Sequence, residues 1–398
     1  MMSFKKTLLI LICFIYCNSS FALEKNDTLP DTSLADIVEM FAFGKPKKSP
    51  FLKLPEILGN GIIMNFNSYN VSDLRQLLHG NIKSEPVKIT GHLAFPPDDG
   101  TSFEKVPVLV ILHDSGGPGE LLDNWMKWFR DIQRPLLENG IGVFYIDSFS
   151  GRGVKYTYKE KYTHEDLYKV SMVSQAIDAI MAYTFLKDHP KVDANKIGIT
   201  GTSRGGTIPF IIADKKFTKH FLKDNDSGFA ALLSMSPAPE CRIAGLFENP
   251  EMTKNSKMLV VQGELDETSS CREYVEKIKA NGGDIEIDIK EGWYHNFAGN
   301  GSAFIDWKYN FNNCPPYYIK DDGEINDEIM DLFAKFRAWR TKADYYDDLY
   351  TKPIKTFDKM IKVYRKSDCV VKVGVHFGGK HGKEFTPQFM DFFIKNLL

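Results

Sequence analysis

The chain has 398 residues, 43% apolar and 26% charged, with a formal net charge of -2. This is the composition of a globular protein with a sizeable core, and so balanced a charge offers no footprint for nucleic acid or an anionic surface. The length allows one large domain or two ordinary ones.

The first feature in chain order is a targeting pattern. Lys5 and Lys6 precede the apolar run Leu8 to Tyr16, and Ser20 and Ala22 are small residues before a cut after Ala22. The run is too short to span a bilayer comfortably. Residues 1–22 are therefore expected to be a signal peptide, and the product to be exported, periplasmic or secreted, with no membrane partner after cleavage. A lipid anchor at Cys17 is disfavoured by the bulky Tyr16. Removal of this segment leaves Cys241, Cys271, Cys314 and Cys369. An even number in an exported chain predicts two disulfides, with three possible connectivities. None of the four has C-x-x-C spacing, which argues against zinc binding and thiol redox work.

Residues 23–85 contain Pro30, Pro46, Pro50 and Pro55 and are expected to form an irregular N-terminal extension with one short helix at Val71–Leu78. Residues 86–398 make up the main domain, including a C-terminal extension from about residue 298. Val87–Phe95 alternates as an edge strand, and Val106–Leu112 is a continuous apolar strand. Leu121–Leu137 has helical spacing and carries Trp125, Trp128 and Phe129. Strands follow at Ile141–Ile146, Ile197–Thr200, Phe229–Met235, Met258–Val261 and Ile285–Ile289, with helical stretches at Asp166–Leu186, Phe210–Phe221 and Cys271–Ala280. This alternation specifies an α/β fold, a mostly parallel central sheet with helices on both faces, whose ligands bind beyond the carboxyl ends of the strands. Farther on, Asp327–Tyr345 and Pro387–Leu397 have helical patterns and Val370–Phe377 that of a strand.

The candidate chemistry lies just after the strands. Gly201-Thr202-Ser203-Arg204-Gly205 follows the strand at Ile197 and opens an apolar helical stretch. A turn this tight demands small flanking residues and presents the serine hydroxyl above the sheet edge. Ser203 is thus the candidate nucleophile. It needs a base, and the base needs an acid to orient it. Asp266 follows the strand Met258–Val261 and His295 follows Ile285–Ile289, so both fall on the same edge in the order serine, acid, histidine. Glu264, Glu267 and Glu240 are rival acids. Oxyanion donors are expected from the backbone N–H of Arg204 and of Ser115, in the loop His113-Asp114-Ser115-Gly116-Gly117 after Val106–Leu112. Trp125 and Trp293 are candidate substrate-binding residues. Cys241 and Cys271 follow consecutive strands and Cys314 and Cys369 both lie beyond His295, a layout that favours the pairs Cys241–Cys271 and Cys314–Cys369. His376 and His381, in the C-terminal extension, are spaced for no helix-face metal pair, which disfavours metal binding.

Gly201 to Gly206, the His113 to Gly117 loop, Gly263-Glu264-Leu265-Asp266 and Tyr294-His295-Asn296-Phe297 together resemble the dienelactone hydrolase family of α/β-hydrolases, over roughly Val87 to Phe297. Asp147 to Gly153 resembles a segment common in exported members. The resemblance implies an α/β-hydrolase fold, a serine triad, no metal or other cofactor, and a small-molecule ester or lactone as substrate. The original members use cysteine as nucleophile; Ser203 favours a general esterase. Asp147 and Arg152 are expected to form a structural ion pair shaping the site. A peptidase similar to the prolyl oligopeptidase catalytic domain shares this sheet and triad order, but the stretch before Val87 is too short for a propeller. A binding protein with this fold and no chemistry is disfavoured by a competent residue at every triad position. Nothing in the sequence specifies an oligomeric state.

Overall fold

The short apolar runs pair into one eight-stranded sheet of order β1-β2-β4-β3-β5-β6-β7-β8. Its strands are β1 (Ile62–Ser68), β2 (Val87–Ala94), β3 (Val106–Leu112), β4 (Gly142–Asp147), β5 (Val192–Thr202), β6 (Ala231–Met235), β7 (Lys257–Gly263) and β8 (Ile285–Lys290). β1, β2 and β4 pair antiparallel, and every pairing from β4 to β8 is parallel. This computed structural model describes residues 47–398 except 81–84, 98–104, 124–125, 156, 158–169, 224–225, 268–269 and 300. The signal peptide expected over residues 1–22, and Trp125, lie outside the described residues.

β3 shows why its sequence is apolar without interruption. Val108, Val110 and Leu112 point into one core and Leu109 and Ile111 into another, because successive side chains of a strand face opposite ways and both faces of the sheet are covered. On the first face lie α1 (Met172–Lys187), α2 (Arg204–Ile212) and α3 (Arg272–Ala280). The second is covered by the short helices Lys127–Asp131 and Gln133–Glu138 and by the aromatic ladder Phe385, Phe389 and Phe393. This is the α/β-hydrolase fold.

Several elements differ from expectation. Val87–Phe95 is not an edge strand: β1, from the stretch taken for an irregular extension, pairs outside it. An outermost strand needs few apolar residues, and Asn65 and Asn67 blur its pattern. The helix expected over Leu121–Leu137 is divided into a 3-10 turn at Pro118–Leu122 and two short helices. Pro135 has no N–H to continue a helix from Asp131. Asp327–Tyr345 is likewise two helices, α4 (Asp327–Lys335) and α5 (Lys342–Thr351). Arg337 takes φ 54° between them, and a capping box of Thr341 with Asp344 starts α5 afresh.

The C-terminal region is a cap on a stem. β9 (Gly301–Asn310) and β10 (Val371–Gly379) form an antiparallel ribbon, and between them run α4, α5 and α6 (Pro353–Lys366). The last helix, α7 (Gly382–Leu397), returns to the sheet with the Phe385 ladder. Both predicted disulfides form. Cys241–Cys271 has its Cα atoms 4.9 Å apart and Cys314–Cys369 4.8 Å. The ion pair expected of Asp147 and Arg152 does not form. Arg152 instead meets Asp178 of α1 through two 2.8 Å hydrogen bonds, both side chains wholly buried. Asp147 accepts from the Ser49 hydroxyl and from the Phe149 and Ser150 N–H groups. The planar guanidinium matches a carboxylate two bonds at a time, and α1 presents one fixed in place.

Candidate active site

The site is built on the turn between β5 and α2. Ser203 sits there at φ 55°, ψ -122°, a conformation that side-chain-bearing residues rarely adopt. Its neighbours must be glycine because the turn is wedged between strands. A Cβ on Gly201 would lie 2.6 Å from the Gly205 carbonyl oxygen, and one on Gly205 2.7 Å from that of His113. The Ser203 N–H donates to the Met235 carbonyl at 3.0 Å, tying the turn to β6.

His295 enters from the loop after β8. β10 holds it: the His295 N–H donates to the His376 carbonyl at 2.8 Å, and Gly378 N–H to the His295 carbonyl at 2.9 Å. Its Nε2 is 3.0 Å from Ser203 Oγ and its Nδ1 2.8 Å from Asp266 Oδ2. The imidazole and carboxylate are almost entirely buried, with Phe377 edge-on to the ring at 4.9 Å. A Nδ1–H donated to Asp266 leaves the Nε2 lone pair for the serine proton.

The rival acids are placed otherwise. Glu264 accepts from the Gly292 N–H at 3.0 Å and supports the turn leading to the histidine. Glu267 stands 3.4 Å from His376. Glu240 is buried and accepts from the Phe311 N–H at 3.2 Å. Burial pushes its carboxyl up to about 7 and the Asp266 charge adds to this, against the opposing Phe311 N–H and Arg242. The folded protein therefore holds a proton that the unfolded chain releases above its ordinary 4.5. The stability tied to this group is complete below that pH and is lost as pH rises to about 7. Glu240→Gln removes the slope, so the variant's Tm should gain on that of the wild type between about pH 5 and 8. A Tm difference constant across that range would count against the buried neutral carboxyl.

The oxyanion candidates also converge. Ser115, Ser203 and Arg204 line one cavity of about 460 Å³. The Ser115 loop is shaped by Asp114, which accepts from the Gly116 N–H at 2.8 Å through its carboxylate and from Gly117 N–H at 3.1 Å through its carbonyl. Among the described residues, neither the Ser115 nor the Arg204 backbone N–H has an acceptor. His113 anchors the same loop: its Nδ1 meets the Asp114 carbonyl at 2.8 Å, and Ser148 N–H donates to Nε2 at 3.2 Å. Burial pushes the His113 pKa down, which keeps the ring neutral. The Arg204 side chain is held by Gln175 Oε1 at 3.1 Å and by the Val170 carbonyl, and burial, with Arg152 nearby, lowers its pKa to about 10.

Trp293 does not line the cavity. It is buried with its ring centroid 4.8 Å from Phe297 and 4.6 Å from His381, in the core that α7 covers. The residues that do wall the cavity, among them Tyr317, Ile319, Leu349 and Met360, belong to the C-terminal region and were not singled out by any motif. The helical pattern read nearest to them, Asp327–Tyr345, begins after Tyr317 and Ile319 and ends before Leu349 and Met360. Among the described residues, no group of histidine, cysteine and carboxylate side chains could hold a metal ion.

Residues 89–221, which include the Ser115 loop and Ser203, match the dienelactone hydrolase family. Asp266 and His295 lie beyond the matched segment. Among solved structures, it is similar to a putative dienelactone hydrolase from Klebsiella pneumoniae, at 15% identity over 60% of this chain and 89% of that one, with a TM-score of 0.39. It is also similar to the propionate-bound esterase Est2 of the Planctomycetes species Thermogutta terrifontis, at 18% identity over 54% of this chain and 82% of that one, with a TM-score of 0.40. No curated protein sequence matches this chain.

Proposed function

We propose that this chain is an exported serine hydrolase of the dienelactone hydrolase family, which cleaves carboxylic esters or lactones through an acyl-enzyme. The observation that carries this reading is the continuous line from Ser203 Oγ through His295 to Asp266, with bonds of 3.0 and 2.8 Å, opening on a cavity. His295 Nε2 takes the hydroxyl proton as Ser203 Oγ attacks the acyl carbon. The carbonyl oxygen becomes an oxyanion, and the Ser115 and Arg204 N–H groups are its donors. The imidazolium, stabilised by ionised Asp266, returns the proton to the leaving alcohol oxygen as the ester bond breaks. Water, deprotonated by the same imidazole, then attacks the acyl-enzyme, and the acid departs with Ser203 restored. Export is supported by the two disulfides, which persist in oxidising compartments.

The test is a fluorophosphonate probe together with hydrolysis of p-nitrophenyl acetate. Labelling mapped to Ser203 and absent from Ser203→Ala, together with hydrolysis of the ester, is the expected result. An unlabelled Ser203 in folded protein would leave the fold without the chemistry.

A further inference from the structure

The cavity beside Ser203 has two unlike linings. One comes from the sheet edge and carries the reacting groups Ser115, Ser203 and Arg204. The other comes from the C-terminal cap: Tyr317, Ile319, Tyr345, Leu349, Phe357 and Met360. All six lie within the segment that the single Cys314–Cys369 bridge closes. The tyrosine hydroxyls are turned on their neighbours, Tyr317 to Tyr345 at 2.8 Å and Tyr345 to Met360 Sδ at 3.7 Å. The second disulfide, Cys241–Cys271, closes the segment that contributes Ile243 and Ala244 to the same cavity.

Among the described residues, the two charged ones of the lining, Asp73 and Arg204, are engaged elsewhere. Asp73 caps the short helix Leu74–Leu78, accepting from the Gln76 N–H at 2.9 Å, and also accepts from the Ser72 hydroxyl at 2.8 Å. The Arg204 guanidinium is held by Gln175 and the Val170 carbonyl. A charged substrate group seated against the cap would therefore meet an aliphatic and aromatic wall, at the expense of its hydration. An alkyl or aryl group would gain from leaving water there.

We propose that the 314–369 segment is a specificity cap that seats an uncharged hydrophobic moiety, alkyl or aryl, attached to the scissile ester. This rests on the esterase reading above and adds to it the class of substrate and the element that selects it. The moiety is either the acyl group or the alcohol, and two substrate series separate them: p-nitrophenyl esters from acetyl to decanoyl, and acetates from methyl to octyl alcohol.

In one series, kcat/KM should rise by about tenfold or more from the shortest member to the optimum, carried mainly by KM. A carboxylate-bearing analogue of matched length should be poorer than its neutral counterpart by a similar factor. Leu349→Trp and Met360→Trp narrow the cavity and should lower the ratio of long-chain to short-chain kcat/KM by about tenfold. A merely structural role would lower both rates together and leave the ratio unmoved. Met360→Ala enlarges the space and should move the optimum to a longer chain, so the claim can be judged even where a tryptophan variant does not fold. Cys314→Ser/Cys369→Ser should flatten the profile by freeing the cap. If acetate is hydrolysed but both series are flat, or the anionic analogue is preferred, the cap assignment is wrong and the esterase reading stands. If Ser203 neither labels nor turns over any ester, both fall.

Discussion

Ser203→Ala is expected to lower kcat by about 10⁴ to 10⁶-fold while leaving the fold intact. The reasoning is local. Alanine keeps the Cβ and the backbone of the turn, so the clearances that require Gly201 and Gly205 are unaltered. What disappears is Oγ, and with it the 3.0 Å contact to His295 Nε2 and the atom that forms the acyl-enzyme. The remaining rate would come from a water activated by the imidazole and from the Ser115 and Arg204 N–H groups. Because the serine holds a strained φ of 55°, the substitution should not reduce thermal stability, as activity and stability are often opposed at such positions. Circular dichroism and a melting curve beside the kinetics make the test decisive. A variant retaining more than about a tenth of the esterase rate would place the nucleophile elsewhere.

Asp266→Asn is expected to cost about 10⁴-fold in kcat with little change in KM. The carboxylate accepts from His295 Nδ1 at 2.8 Å in a nearly closed site. An amide there can present its NH₂ to the ring, so that Nδ1 becomes the acceptor and Nε2 carries the proton. A protonated Nε2 cannot receive the serine hydrogen. The charge that stabilises the imidazolium would also be gone. Glu240 does not replace it, since it is turned to the Phe311 N–H and burial favours its neutral form. Should Asp266→Asn be nearly silent while Glu240→Gln is crippling, the orienting acid would be Glu240.

The reach of sequence reasoning differs from one part of this site to another. The turn at Ser203 is legible because its constraints are short-range: a strand, glycines where Cβ atoms would strike neighbouring carbonyls, then a helix. Asp266 and His295 were singled out by their places after β7 and β8, since parallel strands bring their following loops to one edge. Trp293 was misplaced because a tryptophan after a strand reads alike whether it meets a ligand or, as here, the core beneath α7.

The sequence by itself determined the alternation of strands and helices, the serine turn and the order of the three catalytic candidates, and its layout favoured one cysteine pairing of three. Each depends on spacing along the chain or on the sequence of loops at one sheet edge. Only the tertiary structure decided that β1 closes the sheet edge, that Arg152 pairs with Asp178 rather than Asp147, and that Glu240 is buried near Asp266. It alone decided that the helices between β9 and β10 wall the cavity. These last features depend on which distant surfaces meet. Such contacts are fixed by packing and by the closure of long loops, which leave no period or motif in any single stretch of chain.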